Sequence, residues 1–274
     1  MEYGKLYICP TPIGNLEDIT LRTLRILGEV DLIAAEDTRH TLKLLNHYEI
    51  KKPLTSYHEH NIREKGKELI EKLKSGLSIA QVSDAGMPGI SDPGQDLIRL
   101  SIEEGIEVVV LPGPTALITA LVASGLSTDK FAFEGFLPSK KKDRVKELEN
   151  LKNEKRTTIF YESPHRISDF LEDLSKIFGN RGIVLARELT KHYEEIFRGN
   201  IDEAIKRLSL GQIKGEFVIV VEGNKTLETE VEIDIKDELK KYIDEGYSKK
   251  EAVKMVSNER SIPKNIVYKE SLEL

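Results

Sequence analysis

Four short segments carry residue types suited to holding a small charged ligand: Pro10-Thr11-Pro12-Ile13-Gly14-Asn15, Glu36-Asp37-Thr38-Arg39, Ser83-Asp84-Ala85-Gly86-Met87-Pro88 and Pro112-Gly113-Pro114-Thr115-Ala116. The third joins a carboxylate to small residues and a proline. A backbone of that kind approaches a ligand closely, while Asp84 accepts a hydrogen bond from a ribose hydroxyl or an ammonium group. A plain turn has the same composition, because Asp and Gly favour turns in their own right. Gly89, Pro93 and Gly94 extend the segment into a long irregular loop, the sort that tends to carry function. The fourth segment puts small residues where a helix starts, so that backbone N–H groups face a carboxylate or a phosphate. Glu36 is a candidate proton acceptor, and Arg39 a candidate for orienting a substrate or its phosphate. The competing account is that Asp37 or Thr38 caps a helix starting near Arg39, with Arg39 paired to a carboxylate. His58 and His60 would share one side of a strand without a third ligand, so no metal site is predicted. Cys9 has no activating histidine and reads as a small buried apolar side chain.

The first half alternates short apolar runs with amphipathic stretches, which predicts an α/β domain with parallel strands and crossover helices. Strands are expected at Leu6–Cys9, Leu32–Ala35, Leu54–Tyr57, Ser78–Val82 and Val108–Leu111. Helices are expected from Thr20 until Gly28 stops the chain, then over Arg39–Tyr48, Ile62–Ser75, Pro93–Glu104 and Thr115–Ser124. Leu69, Ile70 and Leu73 fall on one face of the third of these. Asp92-Pro93 reads as an N-cap followed by proline at the first helical position, and Ser163-Pro164 repeats the signal ahead of a helix closed by Gly179. A second unit begins at Phe131, with strands at Phe131–Glu134, Thr157–Tyr161, Ile183–Ala186, Glu195–Arg198 and Phe217–Val221. The polar, acidic 224–234 reads as a linker to a small helical module with helices at Asp237–Asp244, Lys249–Asn258 and Pro263–Lys269. The expected organisation is two α/β domains, 1–127 and 128–224, followed by a module at 235–274. In an open parallel sheet ligands bind beyond the carboxyl ends of the strands, so the four loops should converge on one crevice.

Composition narrows the function classes. A net charge of −6 argues against uniform coating for nucleic acid, although clustering matters more than the total. Lys140, Lys141, Lys142, Arg144 and Lys146 form one basic segment. The stretch 246–269 holds another, with six Lys or Arg against two Glu. A lysine run is commonly just a solvated face, so RNA contact competes with that account. No apolar run approaches the roughly 20 residues of a membrane span, no secretory signal is visible, and a single cysteine suits a reducing, cytoplasmic compartment. Neither G-x-x-x-x-G-K-[ST] nor G-x-G-x-x-G after the first strand is present, which removes the best evidence for ordinary nucleoside triphosphate or dinucleotide binding. A phosphohydrolase would need a metal-binding carboxylate cluster that the sequence does not assemble.

In order along the chain, LYICPTPIGNLEDIT, AAEDTRHT, SYHEHN, VSDAGMPGISDPG, LPGPTALITALVASGL, FEGFLP, FYESPHRI and LAREL resemble the tetrapyrrole methylase superfamily, and more narrowly its RNA-modifying branch. The likeness spans about residues 4–223. It implies a two-domain α/β enzyme, a homodimer, with S-adenosylmethionine held between its domains. Transferred by motif, the cofactor contacts would be Thr11, Pro12, Asp84, Met87, Thr115 and Ala116, joined from the second domain by Tyr161, Ala186 and Glu216. Proline-rich PTPIGN stands where tetrapyrrole methylases are more glycine-rich, which favours RNA over a macrocycle. The implied reaction is methylation of a cytidine ribose 2′-oxygen in small-subunit ribosomal RNA, with His58, Lys140, Lys141, Lys142 and Arg144 toward the RNA. Two other readings stay open: methylation of a tetrapyrrole or other small molecule, and a noncatalytic RNA-binding assembly factor that binds S-adenosylmethionine without transferring its methyl group.

Overall fold

A computed structural model describes residues 2–211, 213–260, 262–272 and 274, and for 226–234 the backbone alone. The first half alternates strand and helix: β1 (Leu6–Ile8), α1 (Leu21–Glu29), β2 (Leu32–Ala35), α2 (Thr38–His47), β3 (Leu54–Ser56), α3 (Ile62–Lys74), β4 (Ile79–Val82), α4 (Gln95–Glu103), β5 (Val108–Val110) and α5 (Ala116–Ser124). The five strands form one sheet in the order β3-β2-β4-β1-β5. Every pairing in it is parallel. β4 is buried along its whole length, as a strand covered by helices on both faces must be. One apolar cluster gathers Leu27, Leu45 and Ile33, the other Leu69, Ile70, Leu73 and Leu97. Each such side chain fully removed from water contributes about 1.5–3 kcal/mol before the entropy of ordering is counted.

The second half contains β6 (Phe131–Phe136), α6 (Lys141–Leu151), β7 (Thr157–Glu162), α7 (Ile167–Phe178), β8 (Gly182–Arg187), β9 (Glu195–Asn200), α8 (Ile201–Ser209) and β10 (Phe217–Val221). Its sheet runs β6-β7-β10-β8-β9. Only β6 and β7 are parallel there; the remaining pairings are antiparallel. α5 links the halves. Its Ala120 and Leu121 pack with Ile159, Val184 and Val220 of the second sheet, and Ile13 and Leu189 join the same cluster. Both sheets belong to one compact unit, which takes in the chain up to Glu149 and Thr157–Glu222.

The other unit comprises Asn150–Arg156 and everything from Gly223 onward. It holds α9 (Thr226–Asp244), α10 (Lys249–Glu259) and α11 (Lys264–Ser271). Ile235, Leu239, Val253, Val256 and Val267 make its core. A reciprocal cap between Ser248 and Glu251 starts α10, satisfying two backbone donors at once.

Four expectations about boundaries are corrected. Gly28 lies inside α1, which runs on to Glu29. α4 starts at Gln95 with Gly94 as its N-cap, so Asp92-Pro93 is not a cap. α7 starts at Ile167, three residues beyond Ser163-Pro164, because Ser163 instead offers its carbonyl to the Arg166 and Ile167 N–H groups. The chain expected as a linker is helical from Thr226, in keeping with the helix propensity of its glutamates.

Candidate functional site

Beyond the carboxyl ends of β4 and β5 lies a cavity of about 360 Å³ that faces the second sheet. Its walls are mainly apolar, from Ile13, Met87, Ile90, Leu117, Phe136 and Val218, with Asp92, Tyr161 and Glu162 among them. The loop after β1 is clasped to the loop after β4. Thr11 and Gly86 exchange backbone hydrogen bonds of 2.9 and 3.0 Å, and the buried Thr11 hydroxyl donates to the Ser83 carbonyl at 3.0 Å. On its other side the β1 loop rests on residues 188–191. A Cβ at Gly14 would stand 2.7 Å from the Leu189 carbonyl oxygen and 2.5 Å from Lys191 Cγ. Glu188 and Thr190 both hold positive φ there, 51° and 64°, a cost that side chains with a Cβ bear when the surroundings enforce it. Lys191 bridges Glu188 at 2.9 Å and Glu216 at 3.1 Å. Burial pushes the Glu188 carboxyl up, yet Lys191 and the Glu216 N–H outweigh it and hold the group below its ordinary range.

Acidic groups meet where the loops after β2 and β4 touch. The Asp37 N–H donates to Asp84 at 3.0 Å, and the Asp84 N–H donates to Glu36 at 3.4 Å. Burial first, then the neighbouring Asp84, raises the Glu36 carboxyl above its ordinary value. Asp92 is displaced further: burial, followed by the charges of Glu36 and Asp84, pushes it up to about 7. Burial also takes Tyr161 up to about 12. The Glu162 side chain is wholly buried. The Ser163 N–H donates to it at 2.7 Å, and its other oxygen lies 3.2 Å from Arg166 without hydrogen-bond geometry. Burial raises this carboxyl too.

The residues expected to hold a cofactor divide between two places. Met87, Thr115, Ala116, Tyr161, Ala186 and Glu216 line the large cavity. Thr11, Pro12 and Asp84 line a separate hollow of about 170 Å³ with His40, Thr41 and Lys43. The Thr11 side chain is already committed to the loop clasp, and Asp84 to the loop after β2. Glu36 lines neither space. Arg39 is exposed and gripped by Asp37 through two hydrogen bonds of 3.1 and 2.7 Å, while Asp37 also caps α2. The guanidinium holds the Asp37 carboxyl well below the usual range. β3 ends at Ser56, so His58 and His60 sit on a turn rather than on one side of a strand. The buried Nδ1 of His58 has no hydrogen-bond partner. Lys140, Lys141 and Lys142 are exposed. Arg144 is the correction: it is 3% exposed and donates twice to the buried Asp173, at 3.0 and 2.8 Å. Turned to Asp173 of α7 rather than to solvent, it is a core ion pair and not a phosphate contact.

Sequence reasoning missed Asp92, Glu162, Glu188 and Lys191. Asp92 was hidden by the cap-plus-proline pattern, and its signal was the glycine spacing of Gly89 and Gly94, which already required an irregular loop. Cys9 is buried with its thiol pushed up to about 12 by burial, in line with an apolar role. Among the described residues no group of three or more His, Cys, Asp or Glu is placed to hold a metal ion, and no helix is long and apolar enough to cross a membrane.

Residues 5–205 match the family described as Tetrapyrrole (Corrin/Porphyrin) Methylases. With that match over the parallel sheet and most of the second one, the chain belongs to the tetrapyrrole methylase family. It is similar more narrowly to Ribosomal RNA small subunit methyltransferase I of Halalkalibacterium halodurans, with 52% identity over 270 residues, 97% of this chain and 93% of the relative. To the protein of the same name from Bacillus subtilis it is 49% identical over 273 residues, 97% and 94% of the two chains. Among solved structures it resembles the methyltransferase CobJ, with a TM-score of 0.60, 21% identity and coverage of 81% and 95%. It also resembles uroporphyrin-III C-methyltransferase from Thermus thermophilus complexed with S-adenyl homocysteine, with a TM-score of 0.57, 17% identity and coverage of 79% and 97%. At those identities the last two are likenesses of fold.

Proposed function

We propose that this chain transfers a methyl group from S-adenosylmethionine to small-subunit ribosomal RNA, at the ribose 2′-hydroxyl of a cytidine, in the cytoplasm and as a homodimer. The observation that carries the reading is the mainly apolar, carboxylate-bearing cavity beyond β4 and β5. Near-full-length identity of about half to relatives named for ribosomal RNA methylation supports the choice of substrate.

The residues present fit the cofactor. Ile13, Met87, Leu117 and Val218 offer apolar walls to an adenosine. α5 starts at the wall with no side-chain cap on Thr115, leaving first-turn N–H groups for a carboxylate. Glu162 supplies negative charge for a cation. When bound, S-adenosylmethionine supplies an already electrophilic methyl group, so the chain has to align an oxygen with it and take away a proton. The clasp between Thr11 and Gly86 and the support of Gly14 by residues 188–191 fix the cavity walls for that alignment. Glu36, expected from the sequence to accept the proton, acts on this reading through its charge beside Asp84 and Asp92. Lys140, Lys141 and Lys142 meet RNA phosphates. Calorimetry with S-adenosylmethionine and the intact protein tests the foundation: micromolar or tighter binding is expected, and no measurable heat of binding would remove it.

A further inference from the structure

We propose that Asp92 is the group that receives the proton of the attacking hydroxyl. This rests on the methyl-transfer reading above and deepens it. The ribose 2′-oxygen forms a bond to the methyl carbon. The carbon–sulfur bond breaks with its electron pair remaining on sulfur, which leaves a neutral thioether, and the hydroxyl proton passes to a carboxylate oxygen of Asp92.

Three observations point to Asp92 in preference to Glu36. First, Asp92 is part of the wall of the 360 Å³ cavity, whereas Glu36 is not; a base must reach the proton it removes. Second, the loop that presents Asp92 is held in a costly shape. Ser91 before it has φ 62° and Gly94 after it φ 150°, a conformation that a side chain with a Cβ would resist. The buried Gln81 side chain ties down the same turn by donating to the Pro93 carbonyl at 2.9 Å, and a Cβ on Gly94 would collide with that amide. Strain maintained by buried hydrogen bonding next to a cavity marks a position whose geometry matters. Third, charges face Asp92 from its own loop and from two other elements: Asp84 earlier in the same loop, Glu36 after β2 and Glu216 before β10, with the Tyr161 hydroxyl of β7 also near. The nearby Ser83 side chain pulls the other way. The resulting affinity for a proton, near 7, suits a base that must be empty before reaction and hold a proton afterwards.

The test uses the full chain, S-adenosylhomocysteine as the binding probe, and small ribosomal subunits lacking the modification as the acceptor. Calorimetry follows the probe, and single-turnover methyl transfer is measured from pH 5.5 to 9. The wild type should show a rate that rises with pH and levels off above about 7. Asp92→Asn should bind the probe within about threefold of wild type yet transfer about 10²- to 10⁴-fold more slowly, the range general-base catalysis supplies, without the acid limb. Asp92→Glu should restore part of the rate. Glu36→Gln should move the limb to lower pH, since removing a neighbouring negative charge eases ionisation of Asp92. The inference is overturned if Asp92→Asn keeps both rate and limb, if its probe binding falls by the same factor as its rate, or if Glu36→Gln abolishes the limb. A wild type that neither binds the probe nor labels the subunit overturns the methyl-transfer reading itself, and this inference with it.

Discussion

At the scale of single residues, location decides what a charged side chain does. Arg144 and Lys142 lie two apart in one basic run, but Arg144 is buried against Asp173 while Lys142 faces water. Removing Arg144 leaves the buried Asp173 with only the exposed Lys141, 3.6 Å away, so Arg144→Ala should destabilise the protein by about 3 kcal/mol, the low end for breaking a buried pair. Replacing Arg144 and Asp173 together with apolar residues should cost much less. Denaturant unfolding of the two variants measures the difference, and equal losses would contradict the assignment of Arg144 to the core. The sequence named Arg144 for RNA because a run of cations carries no mark of which member turns inward. The deciding partner, Asp173, lies 29 residues away on α7. Asp92 was obscured for the opposite reason: a local cap-plus-proline pattern is sound chemistry, and here the chain passes two residues further before α4 begins.

Elements were far more legible than their caps. β2 and β10 occupy the residues that alternating apolar runs predicted, and Leu69, Ile70 and Leu73 share the buried face of α3 as their spacing required. Burial pattern is written locally in a strand or an amphipathic helix, whereas a helix start depends on tertiary hydrogen bonds, as Ser163 and Gly94 illustrate. Three of the four loops expected to converge, those after β1, β4 and β5, do contribute to one cavity, while Glu36–Arg39 lines neither space. What was not legible was that Thr11 and Asp84 are used to fasten loops together, leaving Met87, Thr115 and Tyr161 to line the larger space. The fastening gives an element-scale prediction. Gly14 touches backbone of the 188–191 segment, and overpacking a tight contact typically costs about 1–3 kcal/mol. Gly14→Ala should therefore lower the unfolding midpoint and weaken S-adenosylhomocysteine binding together. A variant with unchanged affinity would mean that the β1 loop does not shape the ligand site.

For the whole molecule, the proposed substrate raises the question of how a chain of net charge −6 would engage RNA. Lys249, Lys250 and Lys254 are exposed on α10, within a helical unit that has its own apolar core. Phosphate contacts release counterions, so changing all three to Glu should weaken binding to the small subunit and flatten the slope of log affinity against log salt by about two to three. An unchanged slope would exclude α10 from the interface. The central claim is chemical, and one measurement reaches it most directly: incubating the protein with methyl-tritiated S-adenosylmethionine and small ribosomal subunits lacking the modification, then digesting the RNA and locating the label. Label on the ribose 2′-oxygen of a cytidine is the predicted result. Label on a base, or tight cofactor binding with no transfer to the subunit, would contradict it.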